Sequence, residues 1–313
     1  MMARDSETLT LPSGRRVTYA VFGAPAALKQ SRVVLAFHGT PGSRLKFRPA
    51  DEDARRRNCT LLAVDRWGYG GSDAPDARSE RTLSLFAADM KALLDALGIE
   101  SIVCVGISGG GPYAAAVGAQ LKERVQRLAL VAPVGIIRER DTDGQERTVP
   151  LSAFHKLCFR GVGRAPPITR GVFAAYKSLL AASGKAAIGT AMARSGPADR
   201  RLLNDPAVVA NLVDMMREGL APGAAGPAID LTVFSKCWDV DPADITAETR
   251  LWFGDQDGSV PEGGIVRLSE RIPGSRIERL QGQGHFWIAT RFPEVLDWLG
   301  YPDANEGAVR IGA

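Results

Sequence analysis

Histidine and cysteine are scarce in this chain, and each scarcity narrows the chemistry it can carry. There are three histidines and four cysteines among 313 residues. Cys59, Cys104, Cys158 and Cys237 form no Cys-x-x-Cys pair and follow no metal-ligand spacing, and no His-Glu-x-x-His or comparable ligand set is present. This cysteine usage fits a reducing compartment, so a cytoplasmic location is expected. Long apolar runs are missing too: none approaches the roughly 20 residues of a membrane-spanning helix. The first residues, MMARDSETLTLPSGRR, lack the apolar core of a signal peptide, and Arg15–Arg16 is expected in a turn after LPSG. Nor is charge of one sign collected anywhere. The net charge is +4, but the basic residues are scattered among acids, as in DEDARRR and RERDTDGQER. A nucleic-acid surface needs a basic stripe and a reading motif, and neither is found. The expectation is a soluble protein with no nucleic-acid partner and no membrane span. Its oligomeric state has no signature in the sequence.

What is present is an alternation of short apolar runs with helical patterns. RRVTYAVFG alternates as a half-exposed strand does, whereas RVVLAFHG and CTLLAVDRWG are unbroken apolar runs suited to parallel strands covered on both faces. Leu83, Phe86, Met90, Leu94 and Leu97 share one helical face, with Gly98 at the expected C-cap. SIVCVG and VQRLALVAP are further buried strands, with Cys104 as core packing in the first; a helix starts near Pro112 between them. Later come the strand TRLWFGD, the helix GGIVRLSERIPG, the strand SRIERLQG and the helix WIATRFPEVLDWL. This alternation predicts an α/β fold with a doubly wound, mostly parallel sheet. Residues 138–246 break the rhythm. They show no strand-like runs, only Ala, Leu, Phe and Met at helical spacing, and the sheet pattern resumes after them. They read as a helical lid inserted between strands of a core formed by 1–137 and 247–301, with 302–313 as a loose tail.

One serine sits where the most flexible residues gather. Gly106-Ile107-Ser108-Gly109-Gly110 fits Gly-x-Ser-x-Gly, with a strand before it and a helix after it. A serine on such a turn stands exposed at a strained position, above a helix N-terminus whose free N–H groups suit an oxyanion. GISGGG lacks the lysine of a phosphate-binding loop, and no ribose-binding acid follows at the expected position. A serine hydroxyl needs a base, usually histidine, and the choices are His38, His155 and His285. An orienting carboxylate should come from a strand end between serine and histidine, where GDQDGSVP offers Asp255 and Asp257.

Five stretches in order, FHGTPGSR (37–44), DRWGYGGSD (65–73), GISGGG (106–111), GDQDGSVP (254–261) and GQGHF (282–286), make the chain resemble a lid-bearing serine hydrolase of the α/β-hydrolase fold. The resemblance runs from about Arg16 to Gly300. It implies Ser108 as nucleophile, His285 as base and Asp257, four before Pro261, as the acid, with Asp255 as the fallback. It assigns the backbone N–H groups of Thr40 and Gly109 to the oxyanion hole. His38 is implied to brace the oxyanion loop, and Asp65, Arg66, Trp67 and Tyr69 to shape the loop after the fourth strand. His38, Trp67, His155 and Trp287 are the further residues expected to reach substrate; Asp89 is expected to be solvated or to cap its helix, and Met215 and Met216 to pack inside the lid.

The chemistry so implied is acyl transfer without metal or organic cofactor: a carboxylesterase acting on a small to medium apolar ester. The same triad serves carbon–carbon bond hydrolases, lactonases and perhydrolases. Serine at the nucleophile position argues against epoxide hydrolases and haloalkane dehalogenases. HGTPG resembles the HGGPG of prolyl iminopeptidases, but GISGGGPYA differs from their serine context and the lid shows no glutamate cluster for an amino terminus. A ligand-binding receptor with an idle triad is the alternative outside enzymology.

Overall fold

The unbroken apolar runs become the middle of a sheet because both faces of that sheet are covered. The structure, a computed structural model, describes residues 4–24, 32–76, 80–141, 143–192, 195–202 and 204–303. Among them the strands are β1 (Arg4–Thr10), β2 (Arg16–Gly23), β3 (Val33–Phe37), β4 (Thr60–Val64), β5 (Ile102–Ile107), β6 (Val125–Val131), β7 (Arg138–Arg140), β8 (Glu146–Thr148), β9 (Glu248–Gly254) and β10 (Arg276–Leu280). Eight of them form one sheet in the order β1-β2-β4-β3-β5-β6-β9-β10. β2 pairs antiparallel with β1 and with β4, and every other pair in the sheet is parallel.

Along β3 the side chains sort by the two-residue period of a strand. Val33, Leu35 and Phe37 join one apolar cluster, Val34 and Ala36 the other. The first cluster is closed by α2 (Leu83–Ala96) and α3 (Gly111–Leu121), the second by α1 (Asp51–Arg56) and α11 (Ile288–Trp298). α2 starts where the Thr82 side chain accepts the Leu85 N–H, and Gly98 follows its end at φ +66°.

Two local expectations are corrected. β2 is not half-exposed: only Arg16 is exposed, because strands flank both edges and its alternate residues feed both clusters. Asp89 is neither solvated nor a cap; it is buried and accepts from the guanidinium of Arg15 and from Nε1 of Trp67.

The chain between β6 and β9 is mainly helical, with α4 (Ala153–Lys156), a π-turn (Leu157–Gly161), α5 (Pro166–Ala182), α6 (Gly184–Ala191), α7 (Pro197–Leu202), α8 (Pro206–Leu220) and α9 (Ala225–Phe234). It also holds the antiparallel hairpin β7–β8, against the expectation of no strands. Three-residue strands of sequence RER and ERT carry no apolar period, so nothing marks them. The helices divide. Leu180, Ile188, Leu212 and Met216, from α5, α6 and α8, pack with Leu45 into a separate apolar cluster. Phe159 of the π-turn and Ile229, Val233 and Phe234 of α9 instead join the sheet's own cluster. α10 (Glu262–Arg271) completes the sheet's helices. Of the tail expected over 302–313, residues 304–313 lie outside the described residues.

Candidate active site

Ser108 stands where β5 turns through a 3-10 turn, Ser108–Gly110, into α3. Its φ is +54°, a left-handed conformation that a non-glycine residue adopts at a cost of about 1–3 kcal/mol. Only glycine fits on either side. A Cβ on Gly106 would meet the Ala114 Cβ at 2.6 Å, and one on Gly110 the Phe37 carbonyl oxygen at 2.4 Å. The turn is pinned by the Val134 N–H, which donates to the Ser108 carbonyl at 2.9 Å.

The loops after β9 and β10 bring two partners to the serine. His285 Nε2 lies 3.0 Å from Ser108 Oγ, and Nδ1 lies 2.7 Å from Asp257 Oδ2. Donation from Nδ1–H to the carboxylate leaves Nε2 as acceptor for the serine hydroxyl. Asp257 is held by the Ser259 and Val260 N–H groups, which donate to its Oδ1 at 2.8 and 3.3 Å. Asp255 turns elsewhere and accepts the Gly282 N–H. Burial works against a charged His285, but the adjacent Asp257 carboxylate outweighs it, with help from Asp199, and the imidazole is raised above its ordinary value. Such a chain lets a hydroxyl lose its proton while it attacks a carbonyl.

Asp199 had no signal in the sequence. This buried α7 carboxylate accepts the N–H groups of His285 and Phe286, each at 2.8 Å, and so fixes the backbone that carries the imidazole.

The loop after β3 faces the serine from the other side. A Cβ on Gly109 would fall 2.1 Å from Thr40 Oγ1, so these two residues are in direct apposition. His38 braces the loop: its Nδ1 pairs with the Gly39 carbonyl at 2.8 Å and its Nε2 accepts the Arg66 N–H at 3.1 Å. Burial, with Arg66 close by, lowers its imidazole well below the ordinary range, so it stays neutral. Asp230 of α9 is the residue the sequence concealed. Its carboxylate accepts Thr40 Oγ1, both terminal nitrogens of Arg66, the Tyr69 hydroxyl at 2.6 Å and the Tyr113 hydroxyl at 2.7 Å. Burial and the adjacent carboxylate raise both tyrosines well above their ordinary values. Arg66 donates onward to the His38 and Gly39 carbonyls at 3.1 Å, so an inserted helix and the loop share one buried network. An acid within the apolar run GPAIDLTVF is the one hint of it.

A cavity of about 510 Å³ opens onto Ser108 and His285, with Thr40 and Gly109 in its wall. Phe159, Met215, Met216 and Phe234 make much of it apolar. Leu157 and Val172, 61% and 51% exposed, belong both to this wall and to the outer surface, which puts its mouth between the π-turn and α5. His155 lines it, 3.2 Å from the Ser259 carbonyl through Nε2. His38, Trp67 and Trp287 do not line it, which corrects their expected contact with substrate. His38 is spent on the loop, Trp67 Nε1 donates to Asp89, and Trp287 points into the apolar cluster on the opposite face of the sheet. Among the described residues, no group of three or more His, Cys, Asp or Glu could hold a metal ion, and no helix is long and apolar enough to cross a membrane.

The family described as alpha/beta hydrolase fold matches residues 32–159, the stretch that holds the Thr40 loop and the serine turn. This is an α/β-hydrolase fold. An uncharacterised protein of Mycobacterium tuberculosis is 25% identical over 236 residues, 72% of this chain and 62% of the relative. The chain thus spans less than two thirds of that curated relative's length. Among solved α/β-hydrolase structures, a bromoperoxidase from Bacillus anthracis superposes with TM-score 0.68 at 19% identity, covering 94% of this chain and 99% of that one. An enol-lactonase from Burkholderia xenovorans gives TM-score 0.68 at 18% identity, with coverage of 94% and 99%. At such identities the likeness is one of fold.

Proposed function

We propose that this α/β-hydrolase is a serine carboxylesterase that cleaves a small to medium ester through an acyl-enzyme. The observation that carries the reading is the unbroken chain Ser108–His285–Asp257, with contacts of 3.0 and 2.7 Å. Ser108 Oγ attacks the ester carbonyl as its proton passes to His285 Nε2. Asp257 stabilises the imidazolium that forms. The N–H groups of Thr40 and Gly109 take the oxyanion, donors that contribute about 3 kcal/mol each in sites of this kind. His285 then protonates the departing alkoxide, and the same histidine activates water to release the acyl group from Ser108. Residues 138–246 serve as the lid in this reading, since they supply most of the cavity's apolar wall. Turnover of a nitrophenyl ester series from acetyl to decanoyl tests it. Wild type should hydrolyse members of the series, and the Ser108→Ala protein, with an unchanged circular dichroism spectrum, should not. Turnover that survives Ser108→Ala overturns the reading. Folded wild type without turnover of any ester turns it towards a ligand-binding role.

A further inference from the structure

Three basic residues follow one another along the 3-10 turn Arg44–Ala50, and one of them differs from the others. Arg44 pairs with Asp65 and Glu218, and Arg48 pairs with Asp5 and Asp214. Lys46, between them, makes no side-chain hydrogen bond or ion pair with any described residue. It is also the one lysine, arginine, aspartate or glutamate among the described residues lining the cavity over Ser108. Together with Ile107 and Ile288 it lines a second cavity of about 260 Å³, so these three form the wall between the two. Ile107 directly precedes Ser108, and Ile288 follows His285 by three residues, so this wall adjoins the reacting groups. Asp53 and Asp205 also line the smaller cavity, but Asp53 pairs with Arg56 and Asp205 caps α8 rather than pairing with the amine.

Lys46 is half-buried, so its ammonium has lost part of its hydration, at a cost, without gaining a counter-ion among the described residues. Burial lowers this amine to about 8, still largely protonated at neutral pH. A bound anion would remove that penalty. One lysine amid apolar side chains suits a single carboxylate, whereas a phosphate dianion calls for several donors or an arginine fork.

We infer that Lys46 binds a free carboxylate on the substrate, so that the ester taken is an amphipathic one, such as a monoester of a dicarboxylic acid. The inference rests on the hydrolase reading and narrows its substrate class from a small to medium ester to one with an apolar body and one anionic group.

Two substrate series test it: 4-nitrophenyl hemiesters of C4–C8 dicarboxylic acids, and butyrate esters of carboxylated phenols, each beside its neutral methyl ester. Wild type should prefer the carboxylate form in at least one series. That ratio of kcat/KM should fall by about tenfold or more in Lys46→Met and Lys46→Gln, as for loss of a charge-assisted contact. A ratio unchanged in both variants overturns the inference, as does a wild-type preference for the neutral ester throughout. A binding arm separates this from failure of the hydrolase reading. Monomethyl glutarate should bind the Ser108→Ala protein at least about tenfold tighter than it binds Ser108→Ala/Lys46→Met. Lys46-dependent binding with no ester turnover by wild type keeps the carboxylate site and removes the esterase. Equal binding by the two proteins removes the site.

Discussion

The sheet core and the helices inserted between β6 and β9 hold the site in different ways. The core supplies the proposed reacting groups at strand ends: Ser108 after β5, Asp257 after β9 and His285 after β10. The inserted helices supply two buried carboxylates that reach back into it. Asp199 holds the backbone of His285, and Asp230 holds Thr40 and Arg66. A lid that only covered substrate would have no need of such contacts. Here the insertion is part of what fixes the geometry, and α9 packs into the sheet's own apolar cluster while α5, α6 and α8 keep a cluster of their own.

Substitutions on each side separate the two contributions. The largest effect belongs to the core. Asp257→Asn should lower kcat by about 10⁴-fold, as loss of the orienting carboxylate does in such triads. Asp255→Asn, whose carboxylate accepts the Gly282 N–H, should leave kcat within a few-fold of wild type. Steady-state ester kinetics check both, and equal losses would erase the distinction between the two acids.

Next comes the insertion's hold on the loop after β3. Asp230→Ala leaves a fully buried Arg66 guanidinium without its counter-ion and should cost about 3–5 kcal/mol in urea unfolding. A loss below about 1 kcal/mol would mean the network contributes little.

Asp199 gives a smaller effect with a sharper readout. Asp199→Asn exchanges a charged acceptor for a neutral one at the N–H groups of His285 and Phe286, and kcat/KM should fall by about tenfold. His285 must be neutral to act as base, and its imidazole is held above its ordinary value, so kcat/KM should rise with pH through a limb above about 6.5. Asp199 is one of the charges that favour the protonated ring. Its neutralisation should therefore move that limb to lower pH, which a pH–rate profile reads directly. A limb that stays put would leave Asp199 a purely structural part.

These predictions follow the line between what the sequence shows and what it hides. The serine turn is legible because its glycines are forced by contacts within a few residues or across adjacent strands. Asp257 is legible because it follows the plain apolar run of β9 and stands four before Pro261. His285 is legible through the resemblance of GQGHF, because β10, RIERL, is mostly exposed and carries no apolar run. Asp230 and Asp199 are hidden because their partners lie 164 and 86 residues away in the chain, at contacts made only when helices pack. The same holds for Asp89: on α2 it looks like a solvated acid until Arg15 and Trp67 close over it. The hairpin β7–β8 escaped for the opposite reason, since its strands are too short and too charged to show a period.

If Ser108 is an activated nucleophile, a fluorophosphonate will label it, with the modified residue mapped by mass spectrometry. One adduct per chain is expected, on Ser108, lost in His285→Ala. A folded wild-type protein that takes no label, or takes it on another residue, would contradict that role for Ser108.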